Sequence, residues 1–524
     1  MQKLQDSVFS IVKTTNLSSA VFSFLQPTED YTDKTPLGGI LRDTNYGWLA
    51  LGPKFCVVDL RSGLKVAART FGSGVSNNCI TVTSVVELPT PLTDNSRQLI
   101  ISLDNDNVSG MICVLHVNGS QILRCIQTEV VITELAVCDG TPDGPFTAFD
   151  NIVVAGTKRG EILIFDLNRA SLMQALKDIS QGYENLVLNE ENPTIIKFLP
   201  LKNLNQVEEQ RELALENNDH LGVILNEDSL FDGQYIFRNP DGTVRMKAKR
   251  DHIRVTSVEY IPQLGSLAVG YNFGAFQLWN LLTLDLEFTS QVNVECLPVT
   301  HFGFQEPCDD PRAFCYLWVV FSVIDRFEEE EFPLAVMYSL TYQGKRILSE
   351  TKCLYQDFSS ATIRFQIELS VSEDVKYLLG GKCVSCHTYS ISSPLGEEGE
   401  DTMLNICQLV WECWGEHSNS AGQYGMLLFD LDQWYKDQMP ATYRLESNAF
   451  MSVTWCGALG SGCLTLDVRL NPASVVPYSH ATRLEEHFYP NSLQYNCICL
   501  NTSEANVLGT IGVQRQIINS IDDL

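Results

Sequence analysis

Short apolar runs broken by turn residues dominate the chain, and three of them share one pattern. They are Leu49–Leu60 (LALGPKFCVVDL), Val153–Leu167 (VVAGTKRGEILIFDL) and Leu267–Leu281 (LAVGYNFGAFQLWNL). In each, a run of small and apolar residues reaches a glycine: Gly52, Gly156 or Gly270. A strand of alternating inward and outward positions follows and ends near Asp59, Asp166 or Asn280. That is the form of the central hairpin of a β-propeller blade, where small residues face a crowded centre. Weaker copies are Gln98–Leu115, Gly425–Leu431, and Val453–Gly457 continuing to Cys463–Leu466. The repeats are degenerate, since Trp279 is followed by Asn280 and the usual Trp-Asp dipeptide is missing. Gly52 and Gly156 lie 156 − 52 = 104 positions apart, about two blades of ~45 residues plus a loop. The pattern predicts an all-β chain, a seven-bladed, WD40-like β-propeller over residues 1–500. Residues 501–524 read as a C-terminal extension, the start of a truncated helical region.

Residues from about 168 to 251 break the period-two alternation. Leu204–Leu215 (LNQVEEQRELAL) combines strong helix formers with apolar residues near helical spacing. The segment predicts a mostly helical insertion between blades, hanging outside the ring. On that reading, deleting Asn203–Asn218 leaves a cooperative propeller, whereas Trp279 packs between blades and is indispensable.

Composition narrows the function. Apolar residues make up 44% of the 524, enough for a sizeable core, and charged residues 19%. Lysine plus arginine number 36 and aspartate plus glutamate 64, a net charge of −28. So acidic a surface repels phosphate backbones, which disfavours direct nucleic-acid binding and docking on anionic membrane. It favours a partner with basic patches. The 17 cysteines are odd in number and scattered, unlike a disulfide scaffold. The N-terminus lacks an apolar stretch of signal-peptide length, and no apolar run is long enough to span a bilayer. These features predict a reduced, cytosolic or nuclear protein.

Candidate chemistry is sparse. Cys383-Val384-Ser385-Cys386-His387 matches the C-x-x-C-H spacing of c-type haem attachment. It lies in a strand-like segment with no visible haem pocket, so its cysteines read as small buried hydrophobes. Zinc would need a second ligand pair, and Cys497-Ile498-Cys499 is not an obvious one. The eight histidines are scattered, and no nucleophile elbow, phosphate loop or dinucleotide fingerprint occurs. The reading is therefore no enzyme and no cofactor. A basic cluster stands out: Arg238, Arg245, Lys247, Lys249, Arg250 and Arg254. It is either a docking patch for an acidic partner or phosphate, or a solvated loop entering the next strand pair. The acidic runs Glu328–Glu331 and Glu397–Asp401 read as solubilising loops.

The segment His301–Trp318 (HFGFQEPCDDPRAFCYLW) is unusual for a generic propeller. Together with Leu267–Leu284 and Phe429–Pro440 it resembles the amino-terminal propeller of the ELYS nucleoporin family in order and spacing, over nearly the whole chain. The resemblance implies a scaffold at the nuclear pore and nuclear envelope. It implies docking onto the Y-shaped outer-ring subcomplex and support of pore assembly. In that family chromatin is bound through a C-terminal AT-hook region; no Arg-Gly-Arg-Pro-like hook occurs in this sequence, so chromatin binding is not carried over. The loop from Glu306 to Arg312, with Asp309, Asp310 and Arg312 beside two prolines, is the first candidate contact, unless Arg312 merely pairs with an aspartate to pin the turn. Arg245, Lys247, Lys249 and Arg250 form the second. The alternative readings are a generic propeller adaptor and, less favoured, a propeller enzyme or haem protein.

Overall fold

The computed structural model describes residues 9–510 except 28–33, 73–79, 95, 107, 139–150, 184–189, 191, 217–219, 240, 308–311, 326–330, 350–351, 371–377, 393–402, 416–422, 433, 435–450, 458–462 and 477–492. Among these residues strands dominate, and they form eight sheets, seven of four or five strands and one of three. In chain order the larger sheets cover residues 37–70 (sheet I), 80–128 (II), 132–224 (III), 255–289 (IV), 299–368 (V), 378–457 (VI) and 465–510 (VII). Each is built on an antiparallel meander, and sheets II and III add a short parallel strand at the outer edge. Sheet VII borrows its outermost strand from the other end of the chain: Phe9–Asn16 pairs with Glu504–Thr510. The sheet thus continues past residue 500, where the sequence reading ended the propeller.

The apolar core of the described residues is divided into seven clusters, each lying between two consecutive sheets. Phe55 and Val57 meet Leu99 and Ile101 between I and II. Tyr271 and Trp279 of IV meet Val154 and Ile164 of III. The last cluster joins Leu500 and Ala505 of VII to Leu49 and Val58 of I. Sheets buried on both faces explain why the central strands read as continuous apolar runs.

Hydrogen bonds cross the same seams. Thr83 Oγ1 donates to the Ile132 carbonyl (2.8 Å), Thr133 Oγ1 to Val255 (2.7 Å) and Thr256 Oγ1 to Val299 (2.7 Å). The Cys383 N–H donates to Ser322 Oγ (2.9 Å), and Ser385 Oγ to the Val468 carbonyl (3.1 Å). The Ile40 N–H donates to Asp467 Oδ2 at 2.8 Å, linking I to VII. The Val82 N–H donates to the Gly52 carbonyl, linking II to I.

The three repeated segments are hairpins as expected, but their glycines differ in role. Gly52 has φ +57° and forms the tight turn between Leu51 and Lys54. Gly156 and Gly270 end their strands, where a Cβ would lie 2.3 Å from Val255 and 2.6 Å from Val299 respectively. The next sheet approaches too closely there for any side chain. Of the weaker copies, Gln98–Leu115 is a hairpin of sheet II. Val453–Leu466 is not, because Met451–Gly457 is the outer strand of VI and Thr465–Leu470 the inner strand of VII.

Residues 168–251 depart from the mostly helical expectation. Helices Arg169–Ser180 and Leu204–Glu216 alternate there with short strands. Nor does the segment sit between sheets: Leu221–Ile224 returns to pair with Leu163–Phe165 as the fourth strand of sheet III. Lys197–Pro200 adds in parallel beside it, and Thr194–Ile195 adds in parallel to sheet II. Helix Leu204–Glu216 is therefore the crossover between two parallel neighbours, a connection that antiparallel period-two reasoning does not anticipate. The three-stranded sheet, Leu230–Phe231, Gln234–Arg238 and Val244–Lys249, follows before sheet IV.

Candidate functional site

The innermost strands of sheets I to VII line a cavity of about 900 Å³. Six of them carry a bulge. The pairing register slips at Thr83, Thr133, Thr256, Thr300, Val384 and Leu466. A bulge re-aims the side chain beside it. The residues that follow, Ser84, Glu134, Ser257, His301, Ser385 and Asp467, all line the cavity. This repeat, an aliphatic or threonine followed by a polar residue, was the signal that sequence reasoning missed.

Burial dominates the electrostatics of the cavity. It pushes the Glu134 carboxyl up to about 8, against a hydrogen bond from Ser84 (3.3 Å) and the charge of Arg254. Glu259, whose side chain opens into the cavity, is raised too, to about 7, by its withdrawal from bulk water and despite Arg42 and Arg469. Burial lowers His301 to about 4, helped by His387 and Lys382. Burial alone would raise Asp467, but His387, Arg469 and the Ile40 N–H outweigh it and hold the carboxyl at about 2. His387 is itself lowered, by burial first, with Asp467 opposing. Near neutral pH the pair is thus a neutral imidazole donating to a carboxylate. As pH falls, His387 gains its proton before Asp467 does, and an ion pair results. Among the described residues no group of three or more His, Cys, Asp or Glu is placed to hold a metal.

The C-x-x-C-H segment lies within strand Leu378–Ser392. Cys383 and Cys386 are buried in the core between V and VI, beside Trp318 and Cys407. His387 turns the other way, its Nε2 3.0 Å from Asp467 Oδ1. Both cysteines pack among apolar side chains, and Cys386 also borders the cavity.

The basic cluster separates into two kinds of residue. Arg245 is half-buried and donates to Asn239 Oδ1 (3.1 Å) and the Thr289 carbonyl (2.9 Å), anchoring the three-stranded sheet to sheet IV. Arg250 pairs with Glu161 of sheet III. Lys247 and Lys249 are exposed and form no ion pair among the described residues. Arg312 is exposed and lies 4.8 Å from the centre of the Phe314 ring. Asp309 and Asp310 lie outside the described residues, as do most of both acidic runs. No described helix is long and apolar enough to cross a membrane.

Radial sheets packed face to face around a polar cavity define a β-propeller. The family described as the β-propeller of ELYS nucleoporin matches residues 243–507, just over half of the chain. The chain belongs to that family. It is 23% identical to Protein ELYS of Xenopus laevis over 550 residues, covering 96% of this chain and 21% of the relative. It is likewise 23% identical to Protein ELYS of Homo sapiens, covering 90% and 20%. The chain thus spans about a fifth of the curated relatives it matches. Among solved structures, the Chaetomium thermophilum Nup170 NTD–Nup53 complex is similar in fold, with a TM-score of 0.52 at 9% identity over 99% of this chain and 64% of that one.

Proposed function

We propose that the chain is a non-enzymatic interaction scaffold of the nuclear pore: a closed, seven-bladed propeller that docks onto the Y-shaped outer-ring nucleoporin subcomplex at the nuclear envelope. The observation that carries this reading is membership of the ELYS β-propeller family over residues 243–507. The seven inter-sheet clusters, the seam hydrogen bonds and the borrowed strand Phe9–Asn16 support a ring closed by both chain ends. A rigid disc of this kind offers its loops and edges as contact surface. The loop carrying Asp309, Asp310 and Arg312 is one proposed contact. The basic patch with Arg245, Lys247, Lys249 and Arg250 is the other, with Arg245 and Arg250 serving to hold it in place. Chromatin contact is assigned to other regions of the family's proteins and not to these residues. Localisation of a tagged copy tests the reading: a nuclear-rim signal is expected, and a diffuse cytoplasmic signal would favour a generic adaptor.

A further inference from the structure

The three-stranded sheet between sheets III and IV has two different faces, and its register sorts them. Leu230 opposes Tyr235, Phe237 opposes Met246, and Tyr235 opposes Ala248. These side chains pack onto the core between III and IV. On the other face Phe231 opposes Gln234, Gln234 opposes Lys249, Ile236 opposes Lys247, and Arg238 opposes Val244. The outward face therefore mixes cations with apolar side chains. Phe231 is 71% exposed and Val244 46%. Ile236 is only 7% exposed, directly opposite Lys247, whose aliphatic stem can cover it while the ammonium reaches water. Arg238 is exposed and spends one N–H on the Gly242 carbonyl.

We propose that this face is the docking site for an acidic segment of a partner protein that also carries an apolar side chain. Charge complementarity selects the acid. In a chain of net charge −28, Lys247 and Lys249 stand free of any carboxylate partner among the described residues. They lie two positions apart on one strand face, about 7 Å. The exposed ring of Phe231 and the side chain of Val244 select the apolar component, which a phosphate backbone would leave wet. An extended polyanion would also meet the repulsion of the rest of the surface. The platform is held rigidly, since Arg245 ties it to Thr289 of sheet IV and Arg250 to Glu161 of sheet III. The site deepens the scaffold reading by giving it a docking point, but its chemistry does not depend on that reading.

The test places the photo-crosslinker p-benzoylphenylalanine at Phe231 in the full chain, expressed in cells. A second copy carries it at Val108, equally exposed in the turn between strands Gln98–Asn105 and Ser109–His116 of sheet II. Crosslinked segments are mapped by mass spectrometry. The expected product is a segment rich in Asp and Glu, recovered from the Phe231 probe and not from Val108. Adding Lys247→Glu and Lys249→Glu should cut its yield at least tenfold while leaving the thermal melt of the purified protein unchanged. A yield indifferent to the charge reversals overturns the proposal, as does a neutral or basic segment, a nucleic-acid adduct, or a yield no greater than at Val108. An acidic segment from a protein outside the pore would keep the site and remove the pore reading. No specific crosslink with rim localisation intact would do the reverse.

Discussion

His387 Nε2 lies 3.0 Å from Asp467 Oδ1, while Oδ2 of the same carboxylate takes the Ile40 N–H at 2.8 Å. One side chain on the innermost strand of sheet VII thereby ties sheet VI to sheet I. Asp467→Ala should destabilise the protein by about 2–4 kcal/mol, since it leaves a buried N–H and an imidazole without their acceptor. The folded carboxyl sits at about 2, below the ordinary value of about 3.9. Its contribution is therefore complete above about pH 4 and is lost as the pH falls toward 2. Urea midpoints of parent and variant from pH 6 down to pH 2.5 should converge at the acid end.

Glu134 behaves oppositely. Burial raises its folded value to about 8, so the folded state holds a proton that the unfolded state has released above about pH 4.3. Stability is lost as pH climbs from there to 8. Glu134→Gln keeps a neutral side chain at every pH. The variant should melt higher than the parent at pH 8.5, with the difference closing by pH 5.

The threonine latches Thr133 and Thr256 span different seams, III to IV and IV to V. Changing either to valine removes one hydroxyl donor and should cost about 1 kcal/mol. The double variant should depart from the sum of the two losses, because the carbonyl that Thr133 holds is bonded to the Thr256 amide. Denaturant midpoints of the four proteins check this.

Trp279 is 4% exposed in the core between III and IV, and its indole N–H donates to Gln277 Oε1 at 3.1 Å. Trp279→Ala should cost about 3–5 kcal/mol. Deleting Asn203–Asn218 is not the mild change the sequence suggested. It removes the crossover between parallel strands Lys197–Pro200 and Leu221–Ile224 and the buried Val207. Parallel neighbours need a connection of about a dozen residues, and only Leu201, Lys202, Asp219 and His220 would remain. A thermal melt should show both variants unfolding earlier than the parent.

The central hairpins were legible because they are buried on both faces and carry dense apolar runs around Gly156 and Gly270. Helix Leu204–Glu216 was legible from its helix formers. Its role was not, since nothing in Leu204–Leu215 says that the flanking strands lie parallel. The bulges at Thr83, Thr133 and Thr256 went unread because a single polar residue after a threonine is common in any strand; only their shared position around the cavity gives them meaning. In the basic cluster, spacing alone could not tell Arg245 and Arg250, whose guanidinium groups are bound within the fold, from Lys247 and Lys249, whose ammonium groups form no ion pair among the described residues.

The central claim is that this propeller joins the outer-ring subcomplex directly. The most direct measurement mixes the purified chain with the purified Y-shaped subcomplex and follows both by sedimentation velocity at about 0.15 M salt. The account predicts a single faster boundary containing both, weakened by Lys247→Glu with Lys249→Glu. Two independent boundaries at micromolar concentration, with the chain folded and monomeric, would contradict it.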